Sequence, residues 1–207
     1  IDMSRVELPM MFNLHHPLNL EVIGPEAQRD NMQSAAYRVI WGFLRKCPAS
    51  KVRFCIFDPK EGGGSVRMLS NFVNKMPDSY KKAVTQMSRT EELLSCLKEL
   101  EGQTLDFIRD RPDYDDLLDY NAHNPRRTEA ITLLMLYDFP LNADARCLEL
   151  LSSVMQKGNK CGIYVILCRN TAVEVASSYD HVDEKLAELE KNCVQIECKE
   201  NGFALLP

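Results

Sequence analysis

No stretch of the 207 residues approaches the roughly 18 consecutive apolar residues that a membrane-spanning helix needs. The opening Ile1-Asp2-Met3-Ser4 is polar and lacks the pattern of a secretory leader. An excess of positive charge is missing too. The 25 Lys and Arg stand against 30 Asp and Glu, a net charge of −5, so the whole surface does not advertise nucleic-acid binding. That leaves room for one local basic face. The eight cysteines, Cys47, Cys55, Cys96, Cys147, Cys161, Cys168, Cys193 and Cys198, form no CxxC pair, so the usual zinc-ligand spacing is absent. Most lie in apolar runs such as Phe54-Cys55-Ile56 and read as reduced core thiols of a cytosolic protein. No internal repeat and no low-complexity linker interrupts the chain. What remains is an ordinary globular composition, 45% apolar and 27% charged, long enough for one large domain with a real core. The chain starts at Ile1 and stops at Pro207 directly after an apolar run. It reads as a single domain, 1–207, cut from a longer multi-domain chain.

The most informative stretch is Leu133-Leu134-Met135-Leu136-Tyr137-Asp138-Phe139-Pro140. Its apolar run without alternation fits a strand buried on both faces of a parallel sheet. Asp138 would then stand at the carboxyl end of that strand, where open α/β sheets place their ligands. In P-loop ATPases an acid at this point, the Walker B position, holds Mg²⁺.

Strand-like and helix-like segments alternate around it. Leu18–Ile23 reads as a strand, followed by Gly24-Pro25 and a helix from about Glu26 to Lys46 with apolar residues at helical spacing. Val52–Phe57 is a second strand, ending in Asp58-Pro59-Lys60 and a flexible turn around Gly62-Gly63-Gly64. A short helix is expected over Val66–Val73. Thr90 caps a long helix, with Leu93, Leu94, Leu97, Leu100, Leu105 and Ile108 on one side. A short helical segment follows at Asp115–Asn121. Ala143–Lys157 is the next helix, with a C-cap at Gly158-Asn159-Lys160. Gly162–Cys168 is another buried strand, leading to Arg169-Asn170. His181–Lys191 is a charged helix, and Cys193–Cys198 with Phe203–Leu206 forms a hairpin. At the amino end, Val6–Met11 reads as an edge strand and His15-His16-Pro17 as a solvated turn. The expected fold is α/β, a three-layer sandwich with a mostly parallel central sheet.

Strand, glycine and long helix is the layout that presents a phosphate-binding loop, GxxxxGK[ST]. The residues present are Gly24-Pro25-Glu26-Ala27-Gln28-Arg29-Asp30-Asn31-Met32. One glycine remains, Lys is missing, and no Ser or Thr occurs until Ser34. Glu26 and Asp30 place negative charge where a polyanion would sit, and Arg29 offsets part of it.

Taken together the segments resemble the motor domain of FtsK/SpoIIIE-type translocases, in the HerA–FtsK group of P-loop ATPases. Val52–Phe57 with Asp58-Pro59-Lys60 is similar to the family's strand ending in Asp-Pro-Lys. Tyr120-Asn121 is similar to its Tyr-Asn before Walker B, Leu133–Asp138 to Walker B, and Gly158–Asn170 to the segment whose polar residue senses the γ-phosphate. The likeness covers roughly residues 18 to 170. It implies a P-loop NTPase, RecA-like fold. Where the family carries its catalytic Glu after the Walker B acid, this chain has Phe139, and phenylalanine cannot activate water. The sensor region reads Arg169-Asn170 instead of Gln-Arg.

These departures point to a degenerate, non-catalytic motor domain with no cofactor of its own, a structural or regulatory module of a DNA-translocase-like protein. A protein-interaction domain of a type VII-like secretion ATPase is the second reading. An active ATPase with unusual ligands is the third. It would place Mg²⁺ on Asp138, and Arg29, Lys60 or Arg169 on the phosphates of Mg-ATP. The remnant of the nucleotide site comprises Gly24, Arg29, Asp30, Asp58, Lys60, Asp138, Arg169 and Asn170. Expected partners are neighbouring motor domains of the same chain or ring, with DNA or an exported protein as the polymer. DNA would meet Arg126-Arg127 or Lys81-Lys82. No membrane contact is expected of this domain, and its setting is cytoplasmic, on a parent chain open to membrane association.

Overall fold

The computed structural model describes residues 19–59, 72–173, 182–200 and 202–206. In chain order it contains β1 (Asn19–Gly24), α1 (Arg29–Lys46), β2 (Val52–Phe57), α2 (Asp78–Lys81), β3 (Val84–Met87), α3 (Thr90–Asp110) and α4 (Leu117–His123). These are followed by β4 (Ile131–Phe139), α5 (Ala145–Lys157), β5 (Ile163–Asn170), α6 (Val182–Glu190), β6 (Cys193–Lys199) and β7 (Gly202–Leu205). The expectations for Val6–Met11, His15-His16, Lys60 and the glycine triplet, and nearly all of the Val66–Val73 helix, lie outside the described residues.

The strands form one sheet in the order β3-β2-β4-β5-β1-β6-β7. Every pairing is parallel except the closing β6–β7 hairpin. The mostly parallel α/β sandwich expected from the sequence is therefore present. β4 lies near the middle and is buried from Thr132 to Phe139. Its side chains divide by the period of two that a strand imposes. Leu133, Met135 and Tyr137 pack with Met32, Ala36, Tyr37 and Ile40 of α1. Leu134 and Leu136 pack on the opposite face with Leu93, Leu97 and Leu100 of α3, Leu148 and Leu151 of α5, and Leu189 of α6. A strand clothed on both faces has no polar side to show, which is why its sequence reads as an unbroken apolar run.

Three expectations change in detail. Thr90 is the first helical residue of α3, not its cap. The backbone N–H groups of Ser88 and Arg89 donate to the Glu92 carboxylate at 3.0 and 3.2 Å, and the Thr90 hydroxyl donates to the Asn142 carbonyl. Leu105 and Ile108 are 50% and 40% exposed, because the buried stripe runs through Leu97, Leu100, Thr104 and Phe107, and those two stand further round the helix. After α5 the chain makes a 3-10 turn over Gly158–Cys161, and the left-handed residue is Gly162 at φ 74°. Strand β3 gives no sequence signal, since Thr85 and Gln86 are exposed and only Met87 is buried.

Gly162 is a position where only glycine fits. An added Cβ would meet Leu117 Cδ2 at 2.3 Å, on top of the left-handed backbone. Gly162→Ala is expected to cost about 1–3 kcal/mol of unfolding free energy, measured by denaturant titration. An unchanged midpoint would mean that Leu117 and the turn relax freely.

Candidate functional site

The first link of the site is topological. β1 runs into α1 on one face of the sheet, while α6, which follows the neighbouring strand β5, packs on the other. Adjacent parallel strands whose connections depart to opposite faces leave a crevice at their carboxyl ends. Gly24 and Asn170, the last residues of β1 and β5, are register partners at that edge. Asp58 follows β2, and Asp138 stands at the same edge of β4.

Asp138 adopts φ 50°, where the β4–β5 register slips between Leu136 and Phe139. Left-handed backbone is uncommon for a residue with a side chain, and it clusters at functional positions. Here it accompanies a carboxylate that grips Arg29. Arg29 Nε lies 2.7 Å from Asp138 Oδ1 and 2.8 Å from Oδ2, and the guanidinium NH2 also donates to Oδ2. The same NH2 stands 3.6 Å from Asp58 Oδ1. Asn170 adds its amide, donating to Glu26 and, at 3.4 Å, to Asp138 Oδ1. The cluster is enclosed: exposure is 9% for Arg29, 4% for Asp58, 2% for Asp138 and 0% for Asn170. Burial alone would push the Arg29 pKa down. The hydrogen bonds and charge of Asp138 outweigh it and raise the pKa, so the guanidinium stays protonated.

The approach to α1 is tight. Gly24 carries no cradle: an added Cβ would meet Met32 Sδ at 3.1 Å and Cys198 Cβ at 3.2 Å. Pro25 has no N–H to offer, and the Gln28 N–H closes a 3-10 turn onto the Pro25 carbonyl at 2.8 Å. Counted from Gly24 with the GxxxxGK[ST] spacing, Arg29 stands at the second glycine, Asp30 at the lysine and Asn31 at the hydroxyl. The Asn31 amide donates to Gln28 Oε1, and Ser34 Oγ, the first hydroxyl available, donates back to the Asp30 carbonyl. Asp30 is exposed, outside the cluster.

Phe139 is buried in the core between the sheet, α3 and α5. Arg169, expected beside Asn170, is turned to the other face by strand alternation. It pairs there with Glu190 of α6 and lies 3.6 Å from Glu21 Oε1, so it is removed from the cluster. Arg126 and Arg127 are exposed in the turn before β4, at the opposite edge of the sheet. Lys81 pairs with Asp78 at 2.8 Å. The structure thus brings together Gly24, Arg29, Asp58, Asp138 and Asn170, and leaves Asp30, Arg169, Arg126 and Arg127 apart. Sequence reading missed Glu26 as the partner of Asn170; its only signal was a carboxylate in the loop. Among the described residues no group of three or more His, Cys, Asp or Glu is placed to hold a metal ion. Among them, too, no helix is long and apolar enough to cross a membrane.

Removing Arg29 would leave Asp138 buried without its counter-charge. Arg29→Met is expected to lower the unfolding free energy by about 3–5 kcal/mol. Thermal and denaturant unfolding would test this, and a change within about 0.5 kcal/mol, typical of surface substitutions, would contradict it. Glu21 offers a pH test. Burial raises its pKa above the ordinary 4.5, against the opposing pull of the Gln195 amide and the Arg169 charge. The folded chain therefore holds this proton more tightly than the unfolded chain. Its stabilising contribution is full below 4.5 and is lost as pH rises through the folded value. Glu21→Gln should gain stability relative to wild type as pH is raised from 4.5. A gain that stayed constant with pH would contradict the assignment.

No protein-family model and no curated protein sequence matches the chain. Solved structures do match. The cytoplasmic domain of the Thermomonospora curvata type VII secretion ATPase EccC aligns with TM-score 0.60 and 15% identity over 88% of this chain and 20% of that one. The pCW3 conjugation coupling protein TcpA, solved with ATPγS, gives TM-score 0.60 and 12% identity over 88% of this chain and 49% of its own. EssC ATPases 2 and 3 from Geobacillus thermodenitrificans give 0.58 and 14% over 87% and 32%. The chain spans less than half the length of each of these structures. Its fold is that of FtsK/SpoIIIE-type P-loop ATPase domains.

Proposed function

We propose that this chain is a non-hydrolysing FtsK/SpoIIIE-like domain, a structural or regulatory module beside active motor domains. The observation that carries the reading is the Arg29–Asp138 ion pair. The acid that would hold Mg²⁺ engages a guanidinium through both of its oxygens. The residues do not fit a bound nucleotide. A phosphate loop needs glycine where Arg29 stands, so that the backbone can approach the phosphates, and an ammonium where Asp30 stands. The Asp30 carboxylate would repel the polyanion. Phe139 offers no carboxylate to orient an attacking water.

Partners follow from what the similar structures are. The EssC structure comprises ATPases 2 and 3, more than one ATPase domain on one chain. We infer that this domain packs against further motor domains in a chain that moves a polymer. EccC is a secretion ATPase, which favours an exported protein as that polymer. TcpA is a conjugation protein, and DNA is the corresponding second reading. For DNA the exposed Arg126 and Arg127 are the candidate contacts, and binding there would weaken steeply with salt.

Calorimetric titration of ATP with Mg²⁺ into the wild-type domain tests the central point. The expected result is no binding up to millimolar nucleotide. Micromolar binding that Asp138→Ala abolishes would overturn the reading and assign the site to Mg-ATP.

A further inference from the structure

The helices on the two faces of the sheet carry opposite charge. α1 and α3 pack on opposite faces. α1 has four Arg and Lys against Asp30 alone, whereas α3 has six Asp and Glu against Lys98 and Arg109. On the outward side of α1, Arg38, Trp41 and Arg45 are all exposed and follow one another at three and four residues, so they share one stripe. Trp41 is 40% exposed, with only its edge against Phe72. Among the described residues neither arginine is in an ion pair. The Tyr80 hydroxyl donates to the Leu44 and Cys47 carbonyls, so the stretch that carries the exposed Lys75 and Lys82 flanks the same end of α1.

α3 shows the counterpart. Glu101, Leu105 and Ile108 follow at four and three residues, with Asp106 beside them. Leu105 and Ile108 are large apolar side chains left in water. Arg109 is taken up by Asp106 and Asp110, at 2.8 and 2.7 Å. Each stripe is also bordered by a glycine inside its helix, Gly42 on α1 and Gly102 on α3. Glycine in a helix interior is destabilising relative to alanine. Packing within the described residues does not call for it: an added Cβ would meet nothing within 4 Å at either position. Each glycine leaves a flat place on an outward surface, where another molecule can come close.

We propose that the two stripes are the halves of one head-to-tail interface, in which the α1 face of one copy of this chain seats on the α3 face of the next. Charge selects this occupant. A two-fold pair through α1 sets Arg38 and Arg45 against themselves, and one through α3 does the same with Glu101 and Asp106, so either is repelled. Unlike faces match: Trp41 meets Leu105 and Ile108 at the centre, and the charges of opposite sign surround them. Such a contact leaves one face of each kind free at the ends, so it repeats into a ring or an open filament. The proposal rests on the reading that this domain packs against further motor domains, and it names the faces that do so.

The test is sedimentation velocity of the whole chain over a concentration series. The mass is expected to rise with concentration at an ionic strength of about 0.01 M and to fall back at about 1 M, as the screening length shortens from about 30 Å to about 3 Å. Arg38→Glu combined with Arg45→Glu should weaken association several-fold, and so should Glu101→Lys combined with Asp106→Lys. Mixing the two variants should restore it, because one then presents two acidic faces and the other two basic ones. Gly102→Gln adds no charge and favours the helix, so it should weaken association several-fold without lowering the Tm. A monomer at every concentration and salt, variants that associate like wild type, a mixture that stays monomeric, or a dimer that grows no further would each overturn the proposal. A monomer that instead binds a single-stranded oligonucleotide through Trp41 would also overturn it and give the α1 face to a polyanion. Salt-sensitive association together with micromolar ATP binding would leave this proposal standing while the nucleotide reading fails.

Discussion

A guanidinium and a carboxylate enclosed together at the end of a parallel sheet are the constraint around which this domain is arranged. Removing two charges from water is expensive, and the cost is recovered only when the geometry is good and further hydrogen bonds complete the shell. Arg29 and Asp138 meet that condition: both carboxylate oxygens are engaged, and Asp58 and Asn170 close the surroundings. The pair joins the first turn of α1 to the ends of β2, β4 and β5. It does so at the crevice where open α/β sheets place their ligands.

The rest of the fold serves this position. α1 is held on one face by Met32, Ala36, Tyr37 and Ile40 against Leu133, Met135 and Tyr137 of β4. α3, α5 and α6 fill the other face. Because both faces are apolar, the polar cluster is confined to the sheet's edge. The short approach through Pro25 delivers Arg29 there directly. With an arginine where the phosphate-loop spacing has glycine, the local chemistry that the structure shows is internal charge pairing. Burial keeps that pairing from being screened by salt.

The sheet was legible because its strands are apolar on both faces. Leu133–Asp138, Val52–Phe57 and Gly162–Cys168 can be strands of little else. The edge strand β3 was not, since Thr85 and Gln86 face water and carry no pattern. Periodicity placed α3 but took Leu105 and Ile108 into the buried stripe that Thr104 and Phe107 complete. At the site, the missing GK[ST] and Phe139 were plain in the sequence. The destination of Arg29 was not. A charged residue on a helix's first turn is ordinary surface until tertiary structure places two aspartates beside it. Arg169 and Asn170 show the same limit: neighbours in sequence, they go to opposite faces because successive strand side chains alternate.

A double-mutant cycle on Arg29 and Asp138 tests the account most directly, using Arg29→Met, Asp138→Leu and the pair together, read by denaturant unfolding. The account predicts that the double variant is more stable than the sum of the single losses implies, with a coupling of about 1–3 kcal/mol. Strict additivity would contradict it and return Asp138 to the role of an acid waiting for a ligand.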